Sequence, residues 1–304
     1  MRIVVNGQQA FGEAVLEALL EKGEDVIAVY TAPDKPGRKV DALKAAALAH
    51  DLRVYQPASF KAPEVWQEFR ALTPDLCVMA YVTLIVPDEF LDIPSHGTIQ
   101  YHPSLLPLHR GPSSINWPII MGDKKTGLSI FWPDSGLDTG PILLQREVEL
   151  GADDTLGSLY FDKLFPLGVE AMLEAVDLVR DGKAPKVPQD DALASYESWC
   201  TKGDVEIDWT RPAAEVYNLI RGANPQPGAW TSSGRGSLQI FDCARIEGTE
   251  GAPGEVTEVA EAGFAVAARG GGIWIKRVRP EGGDKVAADA YAAECGLKAG
   301  EKLG

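Results

Sequence analysis

The run Gln100-Tyr-His-Pro-Ser-Leu-Leu-Pro-Leu-His-Arg-Gly-Pro112 carries the residues with the most evident chemical use. His102 stands at the end of an apolar strand pattern, and Pro103 and Pro107 follow it. Proline fixes its own φ and biases the residue before it towards extended geometry, so the turn holds one imidazole at the end of a sheet. Gln100 lies two residues earlier, and residues i and i+2 of a strand share a face. Further along, Gly136-Leu-Asp-Thr-Gly140 puts Asp138 on a glycine-flanked loop. An imidazole that stabilises an oxyanion or carries a proton, an amide donor and a carboxylate are the parts needed to move a one-carbon acyl group.

Each of these residues also has a plainer reading. A lone histidine is often a satisfied, half-buried side chain, but the proline-rich turn and the strand end favour a functional His102. Asp138 fits an Asx turn as well as a partner that orients the ring or a nucleophile. Gln100 fits a polar cap on a sheet edge as well as an oxyanion donor. Asp134, four residues before Asp138, is a rival carboxylate that reads more simply as loop structure. Arg110 either anchors its loop or faces a substrate, whereas His109 and Asn116 read as structural. Ser104 and Ser113 lack the GxSxG elbow of a serine nucleophile. Gly7-Gln-Gln-Ala-Phe-Gly12 follows the first strand but lacks the GxGxxG fingerprint, which argues against a nicotinamide cofactor.

The elements that must position these groups follow from periodicity. Apolar runs predict strands over 3–6, 26–31, 76–79 and 98–101. Helical spacing predicts helices over 12–22, 41–51 and 63–72. This alternation implies an α/β, Rossmann-like, mostly parallel sheet with helices on both faces, and such sheets bind ligands at the carboxyl ends of their strands. His102 stands at one of those ends. Strands over 129–132 and 142–149 flank the Asp138 loop, and a helical region over 155–181 is interrupted near Pro166. The stretch 182–197, rich in Pro and Asp, reads as a connector, and 207–221 becomes a helix. From Trp230 onward, short β-like runs over 238–241, 254–259, 264–268 and 273–277 alternate with glycine-rich turns and suggest a small, OB-like β-barrel. The expected division is a catalytic domain over 1–203 and a β domain over 204–304.

Bulk properties set limits. The 304 residues are 45% hydrophobic and 24% charged, ordinary for a globular enzyme. No apolar run approaches the roughly 20 residues of a membrane span. The N-terminus enters a strand pattern at once, so no signal peptide is expected. Cys77, Cys200, Cys243 and Cys295 are dispersed without a CxxC pair, which suggests neither a zinc site nor a disulfide framework and fits a reducing cytoplasm. The net charge of −15 disfavours broad contact with nucleic acid. A local basic patch at Lys35, Arg38 and Lys39 reads as a solvated loop.

His102-Pro-Ser-Leu-Leu-Pro107, Arg110-Gly111 and Gly136-Leu-Asp-Thr-Gly140 resemble the signature of enzymes that use 10-formyltetrahydrofolate. Ser114-Ile-Asn-Trp117, Gly122-Asp-Lys-Lys125, Ser129-Ile-Phe-Trp132, Gly7-Gln8 and Phe11-Gly12 are similar to the hydrolase domain of the 10-formyltetrahydrofolate dehydrogenases. Ile207-Asp-Trp209, Ile220-Arg-Gly222, Pro227-Gly-Ala-Trp230 and Pro253-Gly-Glu-Val256 resemble the small β domain of methionyl-tRNA formyltransferases. The resemblance implies a formyltransferase or hydrolase with His102, Asp138 and Gln100 as catalytic groups and with no metal. It also implies folate contacts from Met79, Tyr81, Thr83, Leu84, Ile85, Asp134 and Gly136, with 79–87 as the pterin-facing loop.

Two departures bear on this expectation. Many family members carry Asn at the position of Gln100, and the hydrolase domain tends to an apolar residue there. The loop Pro33-Asp-Lys-Pro-Gly-Arg-Lys39 is shorter and less basic than its counterpart in tRNA formyltransferases. A small-molecule folate is therefore the expected partner. Water or a small amine such as an amino sugar is the expected acceptor, and tRNA and membrane contact are disfavoured. The chain has no room for carrier and aldehyde dehydrogenase domains, so no dehydrogenase reaction is expected of it alone. A folate-binding protein without catalysis is the reading from another class, and the presence of both His102 and Asp138 argues against it.

Overall fold

The computed structural model describes residues 1–304. The chain divides into two compact units: residues 1–111, 127–148 and 162–196 form the first, and residues 112–126, 149–161 and 197–304 form the second. The second unit therefore draws two segments, 112–126 and 149–161, from within the span of the first.

The first unit is built on a seven-stranded sheet. Its strands are β1 (Arg2–Gly7), β2 (Asp25–Tyr30), β3 (Arg53–Tyr55), β4 (Leu76–Ala80), β5 (Thr98–His102), β6 (Lys125–Phe131) and β7 (Ile142–Glu149). The spatial order is β3-β2-β1-β4-β5-β6-β7. The strands from β3 to β5 are parallel, and β6 pairs antiparallel with β5. The expected mostly parallel sheet is thus present, with an antiparallel step beside His102. An antiparallel neighbour needs no crossover helix over the sheet face. It sets His102 opposite Ser129 and Gln100 opposite Phe131.

The strands read as near-continuous apolar runs because both sheet faces are covered. One face buries Ile3, Val5, Val78, Ile99 and Tyr101 against Phe11, Leu16 and Leu19 of helix α1 (Gln9–Glu21) and Met172 and Val176 of the helix Phe165–Arg180. The other buries Val4, Tyr30, Cys77 and Met79 against Phe60, Phe69 and Phe90. The Phe69 and Phe90 rings stack with centroids 4.0 Å apart. Full burial of one such side chain contributes about 1.5–3 kcal/mol.

Helix α2 (Ala42–Ala49) is shorter than its pattern predicts. Asp41 stands outside it as the N-cap, accepting from Leu43 N at 3.0 Å. Helix α3 (Pro63–Ala71) opens on proline and α4 (Asp88–Leu91) is a single turn. The interruption expected near Pro166 is a π-helical stretch, Leu159–Leu164. Pro166 itself sits in the first turn of the α-helix that continues from it.

In the second unit the β-rich texture resolves into two four-stranded antiparallel sheets. The strands are β8 (Trp230–Ser233), β9 (Gly236–Ile240), β10 (Cys243–Ile246), β11 (Val256–Ala260), β12 (Gly263–Ala268), β13 (Gly271–Ile275), β14 (Arg277–Pro280) and β15 (Val286–Ala287). One sheet runs β10-β13-β12-β11 and the other β15-β14-β9-β8. Their core is Val256, Phe264, Val266, Ile273 and Ile275 with the helix Ala213–Gly222. A C-terminal helix, Ala288–Cys295, was not predicted: its alanine-rich face carries a weak pattern, and Gly296 at φ 65° ends it. No helix is long and apolar enough to cross a membrane.

Candidate active site

β5 delivers His102 to the carboxyl edge of the parallel strands, with its side chain buried. The imidazole Nε2 lies 2.9 Å from the His109 carbonyl oxygen. A carbonyl only accepts, so this hydrogen-bond network assigns a proton to Nε2. Nδ1 then faces Asp138, with Oδ2 3.6 Å away and both side chains 6% exposed. That separation exceeds a hydrogen bond. Both groups keep capacity for an incoming oxygen.

The turn that follows β5 is braced from below. Ser129 Oγ donates to the Ser104 carbonyl at 2.7 Å and accepts from Leu106 N at 3.1 Å. Gln145 Nε2 donates to Ser129 Oγ and to the Leu106 carbonyl, both at 2.8 Å. Ser104 Oγ donates to the Leu108 carbonyl at 2.6 Å. The His109 carbonyl is therefore fixed where it can orient the ring. His109 has φ 54°, a left-handed conformation that costs a non-glycine residue free energy.

Asp138 arrives on the β6–β7 loop with φ 57°. Its Oδ2 accepts from Gly111 N at 2.9 Å. Asp134 braces the same loop, accepting from Gly136 N at 3.1 Å and Thr139 Oγ1 at 2.6 Å. Gly140 closes the loop where a Cβ would overlap the Trp132 carbonyl oxygen. The sequence places these glycines without revealing what they must avoid.

Positive φ recurs in this region. Gln9 (58°) opens α1 just after β1, and Tyr81 (65°), His109 (54°) and Asp138 (57°) lie in the loops that follow β4, β5 and β6. Strained backbone concentrates at functional sites, where the surroundings enforce it. Gln9 is held by its N–H donating to Asp41 Oδ2 at 2.9 Å. Gln8 Nε2 donates to Thr83 Oγ1 at 3.2 Å and ties the β1 loop to the β4 loop.

The structure brings His102 and Asp138 together, and it sets half-buried Gln100 on β5 with Met79 as register partner. Met79 points into the phenylalanine core, so its backbone is what it offers to a ligand. Tyr81 is 44% and Ile85 74% exposed, Thr83 is exposed and Leu84 half-buried. Lys35, Arg38 and Lys39 lie exposed on the loop after β2. Arg110, for which anchoring and substrate contact were both open, is buried and anchors: its guanidinium meets Gln189 and Asp191. The His109 carbonyl, the Gly111 N–H and Gln189 escaped the sequence reading. Backbone groups carry no residue-type signal, and Gln189 sits in a stretch that reads as a connector. Cys77 lies beneath the site on β4, and burial pushes its thiol up to about 12, which leaves it inert as a nucleophile. No group of three or more His, Cys, Asp and Glu is placed to hold a metal ion.

Comparison with known proteins gives this geometry a context. Residues 1–176 match the formyl transferase family, and residues 200–296 match its C-terminal domain. The human mitochondrial 10-formyltetrahydrofolate dehydrogenase is 42% identical over 264 residues, 85% of this chain. The chain spans 28% of that much longer relative. A methionyl-tRNA formyltransferase from Geobacter sulfurreducens is 39% identical across 100% of this chain and 97% of its own length. Among solved structures, HypX from Aquifex aeolicus in complex with tetrahydrofolic acid superposes with a TM-score of 0.71 at 19% identity, over 99% of this chain and 48% of that one. An N-formyltransferase from Helicobacter canadensis, solved with folinic acid and dTDP-3-aminofucose, gives 0.68 at 18% identity over 94% of this chain and 100% of that one. At those identities the likeness is one of fold. Matched over more than half its length, and aligned with a relative nearly end to end, the chain belongs to the formyl transferase family.

Proposed function

We propose that this chain takes the formyl group of 10-formyltetrahydrofolate and passes it to water or to an amine. The observation that carries the reading is the approach of His102 Nδ1 to Asp138 Oδ2 at 3.6 Å in a buried setting. In this reading the folate lies along Tyr81, Thr83, Leu84 and Ile85, whose exposed apolar and hydroxyl surface suits a flat heterocycle with a polar rim. Backbone groups of Met79 and Gly136 and the Asp134 loop complete its contacts. The formyl oxygen points at His102 and Gln100.

A nucleophile adds to the formyl carbon and the carbonyl electrons move onto oxygen. Protonated His102 and the Gln100 amide stabilise that oxyanion, each donor supplying about 3 kcal/mol. Asp138 lies beside the imidazole, and its carboxylate takes the proton of the nucleophile. When the bond from carbon to folate nitrogen breaks, that nitrogen takes the proton held by Asp138 and leaves, which returns the carboxylate. With water as nucleophile the products are formate and tetrahydrofolate, and no redox step is involved.

Water is the acceptor we favour, on the 42% identity to the dehydrogenase relative. An amine is the second reading, supported by the end-to-end alignment with a methionyl-tRNA formyltransferase. The −15 charge argues against tRNA within that reading. A cytoplasmic setting suits the four unpaired cysteines.

Incubation with 10-formyltetrahydrofolate alone is the test. Formate release by the intact protein, lost in His102→Ala, supports hydrolysis. Tetrahydrofolate formed only when an amine is added supports transfer. Bound folate with no turnover under either condition would reject the catalytic reading.

A further inference from the structure

Residues 182–197 read from sequence as a connector, yet the structure straps 185–196 across the site loops. Val187 exchanges backbone hydrogen bonds with Ile142 at 2.8 and 3.0 Å. Trp132 Nε1 donates to the Pro185 carbonyl at 2.9 Å. At the other end Ser195 accepts from both loop residues beside the imidazole: its carbonyl from Arg110 N at 3.0 Å and its Oγ from His109 N at 2.8 Å.

Gln189 lies between these anchors, half-buried while Pro188 and Asp190 beside it are exposed. Its two ends face different loops. Oε1 accepts from Arg110 Nη2 at 2.9 Å and Nε at 3.2 Å. Nε2 donates to the Asp138 carbonyl at 2.9 Å and to the Gly140 carbonyl at 2.7 Å. Asp191 Oδ1 accepts from the same Arg110 Nη2 at 2.8 Å. One side-chain amide therefore joins the loop that orients His102 to the loop that carries Asp138.

We propose that Gln189 is a positioning residue that sets Asp138 against His102, with Arg110 as its anchor. The proposal rests on the reading of His102 and Asp138 given above. Asp138 occupies a left-handed conformation, so its carboxylate stays in place only while its backbone is held. The His102–Asp138 gap exceeds a hydrogen bond, so that pair does not hold itself. A single primary amide has the acceptor and the two donors this bridge needs. Glutamate in its place would still accept from Arg110 but would set an oxygen against two carbonyl oxygens.

The test uses the full chain and its formyl-folate turnover. Gln189→Glu is expected to lower kcat about 10- to 100-fold, as displacement of a catalytic group by up to about 1 Å does, with KM for 10-formyltetrahydrofolate nearly unchanged. Arg110→Lys, which loses the fork on Oε1, is expected to lower kcat less. In an Asp138→Asn background the Gln189→Glu change should cost little more, because groups that act as a unit are not additive. Wild-type kcat in Gln189→Glu, or the same factor lost with and without Asp138, would overturn the proposal. A parallel rise in KM would overturn it too, by pointing to folate binding instead. Full activity in His102→Ala would refute the underlying site reading instead. If Gln189→Glu does not fold, Arg110→Lys carries the same cycle with Asp138→Asn.

Discussion

Two stretches of the chain spend their buried volume differently. Between residues 98 and 138 the fold buries His102, Ser104, His109, Arg110, Ser129 and Asp138. Over 204–304 the buried polar side chains are Arg221 and Thr231, and the core is Val, Ile, Phe and Ala. Burying a polar group costs free energy unless hydrogen bonds compensate. For these six residues hydrogen bonds to side chains and backbone offset that cost, and His109 and Asp138 are held in left-handed conformations. The second turns mainly on glycines and packs apolar side chains. The comparison teaches that one region spends its burial on polar groups, as the proposed reaction requires, and the other on apolar packing.

The largest effect that would break this contrast is at His102. His102→Ala is expected to reduce turnover about 10²–10³-fold with a small change in melting temperature. Near-normal formate or formyl-amine production would remove the chemical half of the comparison. Next comes Gly140→Ala, whose Cβ would overlap the Trp132 carbonyl and move the Asp138 loop. About a tenfold or greater fall in kcat is expected, with far-ultraviolet circular dichroism unchanged; unchanged kcat would show that the loop need not be held.

Phe264→Ala tests the other half. Phe264 is fully buried in the C-terminal core, and its truncation is expected to cost about 3–5 kcal/mol of stability. Denaturant unfolding should report that loss while kcat per folded molecule stays the same. A large fall in kcat without a stability loss would put chemistry in the β region.

The smallest effect is at the surface, where Thr201 and Asp204 form a capping box. Hydrogen bonds from Thr201 hold the Asp204 carboxyl below its usual 3.8. A depressed carboxyl stabilises the fold above 3.8, and the contribution is lost as pH falls from that value through the lower folded one. Asp204→Asn should therefore lower the melting temperature slightly at pH 6, by an amount that shrinks steadily as pH is lowered below 3.8. An equal change at every pH would show that the charge is not what matters.

Much of the scaffold was legible because burial imposes a period. Ile3, Val4 and Val5 mark a strand covered on both faces, and Val15, Leu16 and Leu19 mark one helix stripe. Helix ends were less legible, since Asp41 reads as a helical residue until its side chain is seen capping Leu43. The antiparallel turn of β6 was not legible, because strand direction depends on the path between strands rather than on the strand. In the site, His102 was visible from its strand end and prolines. Asp138 was visible as a carboxylate between glycines, without its distance to the ring.

The sequence by itself determined the strand–helix alternation, the β-rich C-terminal texture and the two rigid loops that present an imidazole and a carboxylate. These follow from local rules, in which a few neighbouring residues set φ, period and turn. Only the tertiary structure decided that His102 and Asp138 face one another, that the His109 carbonyl and Gly111 N–H orient them, and that Gln189 bridges their loops. Those contacts join residues up to 79 positions apart. They are made largely to backbone atoms, which every residue type presents alike.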